Sequence, residues 1–178
     1  AENVKTITVN SLPNAGFTSP EVACKGEEVT FSAENQDYET YTWFIDGTQL
    51  LDENLPSLNY TFTEAKNYEV KLSVSNNGCS DENVKTITIN QLPNAGFTYP
   101  EVICLDTEVT FSAENQDHET YTWFVDGTQL LDENLPTLNY TFTEAKNYEV
   151  KLSVSNNGCS AENVKTITVN SLPNAGFT

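Results

Sequence analysis

The chain has 178 residues and carries 26 acidic side chains against 8 basic ones, all lysine, for a net charge of −18. That balance argues against a nucleic-acid partner or an anionic membrane surface, since both call for clustered Lys or Arg. It is compatible with secretion, solubility and divalent-cation binding, and it helps keep near-identical neighbours apart.

Residues 1–10, AENVKTITVN, return at 81–90 and again at 161–170 with only small changes. The segment 11–90 returns as 91–170, differing at positions 11, 19, 23, 25, 26, 27, 38, 45, 57, 81 and 89 of the first copy. A period of 80 residues is too long for short solenoid repeats and suits one small all-β module used as a bead. The expected division is 1–10 as the last strand of a preceding repeat, 11–90 and 91–170 as two full repeats, and 171–178 as the first strand of a following one. Direct membrane insertion is not expected of these repeats, and the absence of an apolar run of about 20 residues carries no argument in a stretch cut from a longer array.

Within one repeat the elements follow in order. Residues 14–18 and 21–24, parted by Pro20, read as a split edge strand A and A′. Val29, Phe31 and Ala33 alternate with Thr30 and Ser32, giving strand B; Tyr41, Trp43 and Ile45 alternate with Thr42 and Phe44, giving strand C. Asp46 and Gly47 supply a tight turn. Leu58, Tyr60 and Phe62 mark strand E, and Tyr68, Val70, Leu72 and Val74 mark strand F. Asn77 and Gly78 form the strongest hairpin signal and lead into strand G around 83–90. About seven short strands in each repeat predict an all-β, two-sheet sandwich with Trp43 at its centre.

The run from Tyr60 through Tyr68, Val70, Leu72 and Val74 to Gly78 resembles the signature of PKD (polycystic kidney disease) domains. Val29, Phe31 and Ala33 match their strand B, and Tyr41, Trp43, Asp46 and Gly47 resemble their Trp-Asp-Phe-Gly-Asp-Gly element. Phe44 stands where that family has its first Asp, and Lys66 and Asn67 stand where it usually has a Gly. The resemblance implies tandem immunoglobulin-like (PKD-like) β-sandwiches. Arrays with a Cys before strand B and a Gly-Cys after strand F resemble those of giant surface adhesins in gliding bacteria. What that likeness implies is an extracellular stalk or filament at the bacterial cell surface, whose partners are neighbouring repeats of the same chain. The surface or glycan ligand is left open.

Two cysteines per small β module point to disulfides and an oxidising compartment. No CxxC or Cys/His cluster favours zinc. For an immunoglobulin-like bead the default is an internal bridge, Cys24 to Cys79 and Cys104 to Cys159. Strand polarity opposes it, because Cys24 lies at the far end of A′ and Cys79 beside the turn between F and G, at the other pole. Beads stacked head to tail would instead join Cys24 to Cys159, with Cys79 and Cys104 pairing to repeats outside this stretch.

Other chemistry is thinner. The one histidine, His118, is Tyr38 in the other copy, and no Ser-His-Asp set, P-loop or HExxH occurs, so an enzyme is not expected. Asp37, Asp46 and Asp52 lie in turns and are the calcium candidates, but none has the spacing of a known calcium loop. Lys85 shares the register of Ile87 and Ile89 and is a candidate for an isopeptide staple, against a lysine that snorkels to solvent. The rival readings of function are a carbohydrate-binding module, using the rings of Tyr38 or Tyr99, and an accessory module of a large extracellular protein.

Overall fold

The computed structural model describes residues 2–50, 54–130, 134–173 and 176. The chain divides into two compact units, residues 1–91 and 92–178. The described residues contain strands and turns and no helix.

In the first unit the strands are β1 (Phe17–Thr18), β2 (Val22–Cys24), β3 (Glu28–Ala33), β4 (Thr40–Ile45), β5 (Thr48–Gln49), β6 (Ser57–Thr61), β7 (Asn67–Asn76) and β8 (Cys79–Asn90). One sheet has the order β1-β3-β6 and the other β2-β8-β7-β4-β5. The first strand is thus split between sheets. β1 pairs antiparallel with β3, and β2, beyond Pro20, pairs parallel with β8. Proline lacks an N–H and fixes φ, so a ladder breaks there at little cost on an edge.

Alternation decides which side chains turn inward. Phe31, Trp43, Leu58, Val70, Leu72, Ile87 and Ile89 meet between the sheets, with Ala15 and Phe17 closing the edge. Trp43 is fully buried, with the Phe17 ring edge-on at 5.3 Å. Its Nε1–H donates to the Leu55 carbonyl at 3.1 Å, so its one polar atom is satisfied. Tyr41 likewise donates its hydroxyl to the Asn35 carbonyl, and its backbone N–H donates to Asn54 Oδ1. These bonds tie the loops flanking β4 to the sandwich.

Both hairpin turns have the geometry their sequences call for. Asp46 and Gly47 have φ of 47° and 75°, and Asn77 and Gly78 have 50° and 79°. Two consecutive left-handed residues are what a two-residue turn between twisted strands requires. The second turn closes tightly enough that Cys79 already pairs with Asn76, so strand G begins at Cys79 and not near 83.

The second unit repeats the plan with β9 (Phe97–Thr98), β10 (Ile103–Cys104), β11 (Glu108–Ala113), β12 (Thr120–Val125), β13 (Thr128–Gln129), β14 (Thr137–Thr141), β15 (Asn147–Asn156) and β16 (Cys159–Asn170). Its sheets are β14-β11-β9 and β10-β16-β15-β12-β13. Three substitutions enlarge its apolar interior: Ile103 replaces Ala23 and is buried, while Tyr99 and Leu105 replace Ser19 and Lys25 and pack against the core.

Residues 2–10 repeat the sequence of β8 almost letter for letter yet form no strand. Ile7 and Val9 are 84% and 89% exposed, whereas their counterparts Ile87 and Ile89 are 1% and 2% exposed. A strand needs a partner for its N–H and C=O groups, and β8 has β7 on one side and β2 on the other.

Candidate functional site

The two ends of each sandwich carry the chemistry that the repeat reuses. At one end Cys24 closes β2 beside Asn90, the last residue of β8. The chain then turns: Lys25 N–H donates to Asn90 O, Gly26 N–H to Phe62 O, and Glu27 N–H back to Cys24 O. Gly26 has φ +85°, a left-handed turn position where glycine carries no Cβ penalty. At the other end Cys79 opens β8 directly after the Asn77 and Gly78 turn.

Cys24 therefore lies eleven residues (90 − 79) along β8 from Cys79. At a strand rise of about 3.3 Å per residue that is roughly 36 Å. A disulfide needs Cα atoms within about 7 Å, so the internal bridge is excluded by register. The second unit has the same arrangement, with Cys104 beside Asn170 and Cys159 opposite Asn156. Cys24 and Cys159 are buried and disulfide-bonded; Cys79 and Cys104 are free and half-buried.

The start of strand A is held differently in the two units. In the first, Asn14 N–H donates to the Tyr38 hydroxyl at 2.8 Å and Ala15 N–H to Asp81 Oδ2 at 2.9 Å. In the second, Tyr38 is His118 and Asp81 is Ala161. The His118 Nε2–H there donates to the Asn94 carbonyl at 3.0 Å, and its Nδ1 is buried with no hydrogen-bond partner. The clamp has changed from accepting backbone N–H groups to donating to a carbonyl. No motif marks these residues; the signal available in the sequence was that positions 38 and 81 change together between copies.

Of the calcium candidates, Asp46 is already committed. Its Oδ2 takes the Lys66 ammonium at 2.7 Å and its Oδ1 the Glu69 N–H at 2.9 Å. The Lys66 hydrogen bond and then the Glu69 backbone bond hold its carboxyl below the usual range, and the partner raises Lys66. Asp126 repeats this with Glu149 N–H and Lys146. Asp37 is exposed, its N–H capped by Asn35 Oδ1. Asp52 lies outside the described residues. Among the described residues no three His, Cys, Asp or Glu side chains gather as a metal site would require.

Lys85 neither staples nor snorkels. Its ammonium donates to the Phe17 carbonyl and sits over the Phe17 ring, and Lys165 donates to Phe97 O at 2.6 Å. A main-chain carbonyl offers no leaving amide for an isopeptide bond. The lysine instead fastens strand G to strand A across the sandwich edge. The two aromatic candidates are also occupied. Tyr38 stacks on Tyr41, and Tyr99 packs on Phe97 and Phe111.

Two sheets of three and five strands, closed over an aromatic core and lacking any convergent reactive cluster among the described residues, define a tandem immunoglobulin-like sandwich module. Family models described as PKD domain match the chain twice, over residues 10–91 and over residues 94–169. The chain belongs to the PKD domain family, one domain per repeat. Domains of this kind are structural or binding modules typical of extracellular proteins. No described helix is long and apolar enough to cross a membrane.

Among solved structures the chain is similar to the fibronectin(III)-like modules of Clostridium thermocellum CbhA, at 13% identity and a TM-score of 0.47, covering 92% of this chain and 100% of that one. It is also similar to carbohydrate-binding modules of the β-sandwich superfamily, at 21% identity and a TM-score of 0.42, covering 83% and 59%. A third is the Bacteroides ovatus mixed-linkage glucan utilization locus protein SGBP-B, at 15% identity and a TM-score of 0.34, covering 96% and 48%. No curated protein matches the chain in sequence.

Proposed function

We propose that this chain is a load-bearing segment of an extracellular stalk or filament in a bacterial cell-surface adhesin, serving attachment or gliding. Consecutive PKD domains are joined twice at each junction, by the short Leu92 and Pro93 linker and by a disulfide between Cys24 and Cys159. The observation that carries this reading is the polarity of the cysteines. Each sandwich presents one at either end of strand G, about 36 Å apart, where they serve neighbours and not each other. Proline limits the linker's freedom, and a covalent second tie keeps a junction from being pulled open without bond rupture.

The near-identity of the copies supports the same reading, since a polymer of beads needs every bead to offer the same two ends. The glycan-binding rival is weakened because Tyr38 and Tyr99 pack their rings on neighbouring aromatics. Peptide mapping under non-reducing conditions tests the junction. Recovery of a linked Cys24 and Cys159 peptide is expected, and a linked Cys24 and Cys79 peptide overturns it. Single-molecule pulling then separates stalk from accessory module: the oxidised chain should extend less before sandwich unfolding than the Cys24→Ser/Cys159→Ser variant.

A further inference from the structure

We propose that the second sandwich carries an acid-sensitive clamp at the start of strand A, worked by His118, and that the first sandwich lacks it. His118 lies between β11 and β12 and is the chain's one histidine. Its backbone N–H donates to the Tyr121 hydroxyl at 2.8 Å, and the two rings lie 5.7 Å apart. The Asn94 carbonyl has no proton to give, so it accepts from Nε2–H at 3.0 Å. In that neutral tautomer Nδ1 is a bare lone pair, and it is buried without a partner.

Asn94 is the hub of the clamp. Its Oδ1 accepts the Gly96 N–H at 2.8 Å, and its Nδ2 donates to Glu114 Oε2 at 3.3 Å. The Glu114 N–H donates back to the Gly96 carbonyl at 2.8 Å. Through one carbonyl, His118 therefore holds the residue that leads the chain into β9.

Acid adds a proton where nothing accepts it. Histidine is the side chain that ordinarily gains its charge between about pH 8 and pH 5. With Nε2 already protonated, the second proton goes to Nδ1 and makes a buried, charged N–H with no acceptor. The surrounding charges do not answer it. Glu114 is engaged by Asn94, and Glu162 of β16 pairs with Lys151 at 3.1 Å. Lys165 of β16, on the Phe97 carbonyl, is a like charge. Asp117 and Glu119, on the loop itself, are exposed, and the Tyr121 hydroxyl accepts the His118 backbone N–H. Residues 91–98 carry no charged side chain. In the first sandwich Asp81 reaches this end and takes the Ala15 N–H, but its counterpart is Ala161.

The neutral ring fits the closed clamp and the charged ring does not, so the opened clamp takes up the proton. Stability at this end is thus present above the histidine range and lost as pH falls through it. The Tyr38 hydroxyl, which accepts the Asn14 N–H in the first sandwich, gains no proton in that range. The two modules therefore differ in their response to mild acid.

The test follows the full chain from about pH 8 to about pH 5 by amide hydrogen exchange and by the NMR signal of its one imidazole. As the imidazole titrates, protection of the Gly96 amide should fall about tenfold, while that of Gly16, its counterpart, holds. His118→Gln keeps a donor that does not titrate, and His118→Tyr restores the residue of the other copy; both should abolish the fall. Ala161→Asp returns a carboxylate and should shrink it. Three results would overturn the proposal: equal losses at Gly16 and Gly96, the same fall in the His118 variants, or an imidazole that titrates while Gly96 stays protected. An imidazole that stays neutral to pH 5 with Gly96 protected throughout overturns it as well.

Discussion

At the scale of single residues, stability rests on a few side chains with both packing and polar partners. Trp43 is enclosed by Phe17 and Phe31 and donates to Leu55 O, so Trp43→Ala removes a large volume and leaves a carbonyl unpaired. Urea titration should show a loss of about 3–5 kcal/mol in the first sandwich. Asp81→Ala should act more locally. The Ala15 amide loses its acceptor, costing about 1–3 kcal/mol at a part-buried site, and hydrogen exchange should show that amide exchanging faster. Asp46 and Asp126 give a pH prediction. Their carboxyls are depressed in the folded state, so their contribution is present above the usual carboxylate range and is lost as pH falls through the folded value. The Asp46→Asn/Asp126→Asn variant should therefore be less stable than wild type at neutral pH, and the gap should close in acid melts.

At the scale of elements, strand G is held by partners on both of its edges. It lies between β7 and β2, with Ile87 and Ile89 buried. Ile87→Asp places a charge in the core and should abolish the first unfolding transition. Strands B, C, E and F were legible because their alternation is strict: Val29, Phe31 and Ala33 turn inward, as do Tyr68, Val70, Leu72 and Val74. The start of strand G was not legible. Cys79 to Lys85 pair with Val70 to Asn76 of β7 but alternate only between half-buried and exposed, so they carry no hydrophobic pattern. The role of Lys85 escaped for a related reason, since its acceptor is a backbone carbonyl and no side-chain motif reports one.

At the scale of the whole molecule, each unit has a core cluster of its own, and neither Cys24 nor Cys159 belongs to one. Replacing both with Ser should leave each sandwich's melting temperature nearly unchanged. On the proposed Cys24 to Cys159 bridge, it should widen the interdomain distance distribution seen by small-angle scattering. The second sandwich, with Ile103 and Leu105 in place of Ala23 and Lys25, should melt above the first, and Ile103→Ala should cost it about 2–4 kcal/mol. These outcomes are independent of the ligand a stalk would carry.

The sandwich, its copying, its inward-facing residues and its two glycine turns can all be read from the chain without its fold. Those follow from period-two alternation and from which residues tolerate a positive φ, and both are local properties. Tertiary pairing settled that the two halves of strand A join different sheets and how far apart the two cysteines of a repeat lie. These depend on which backbone groups find partners across the sandwich. A pairing partner belongs to another part of the chain, so no local pattern can specify it.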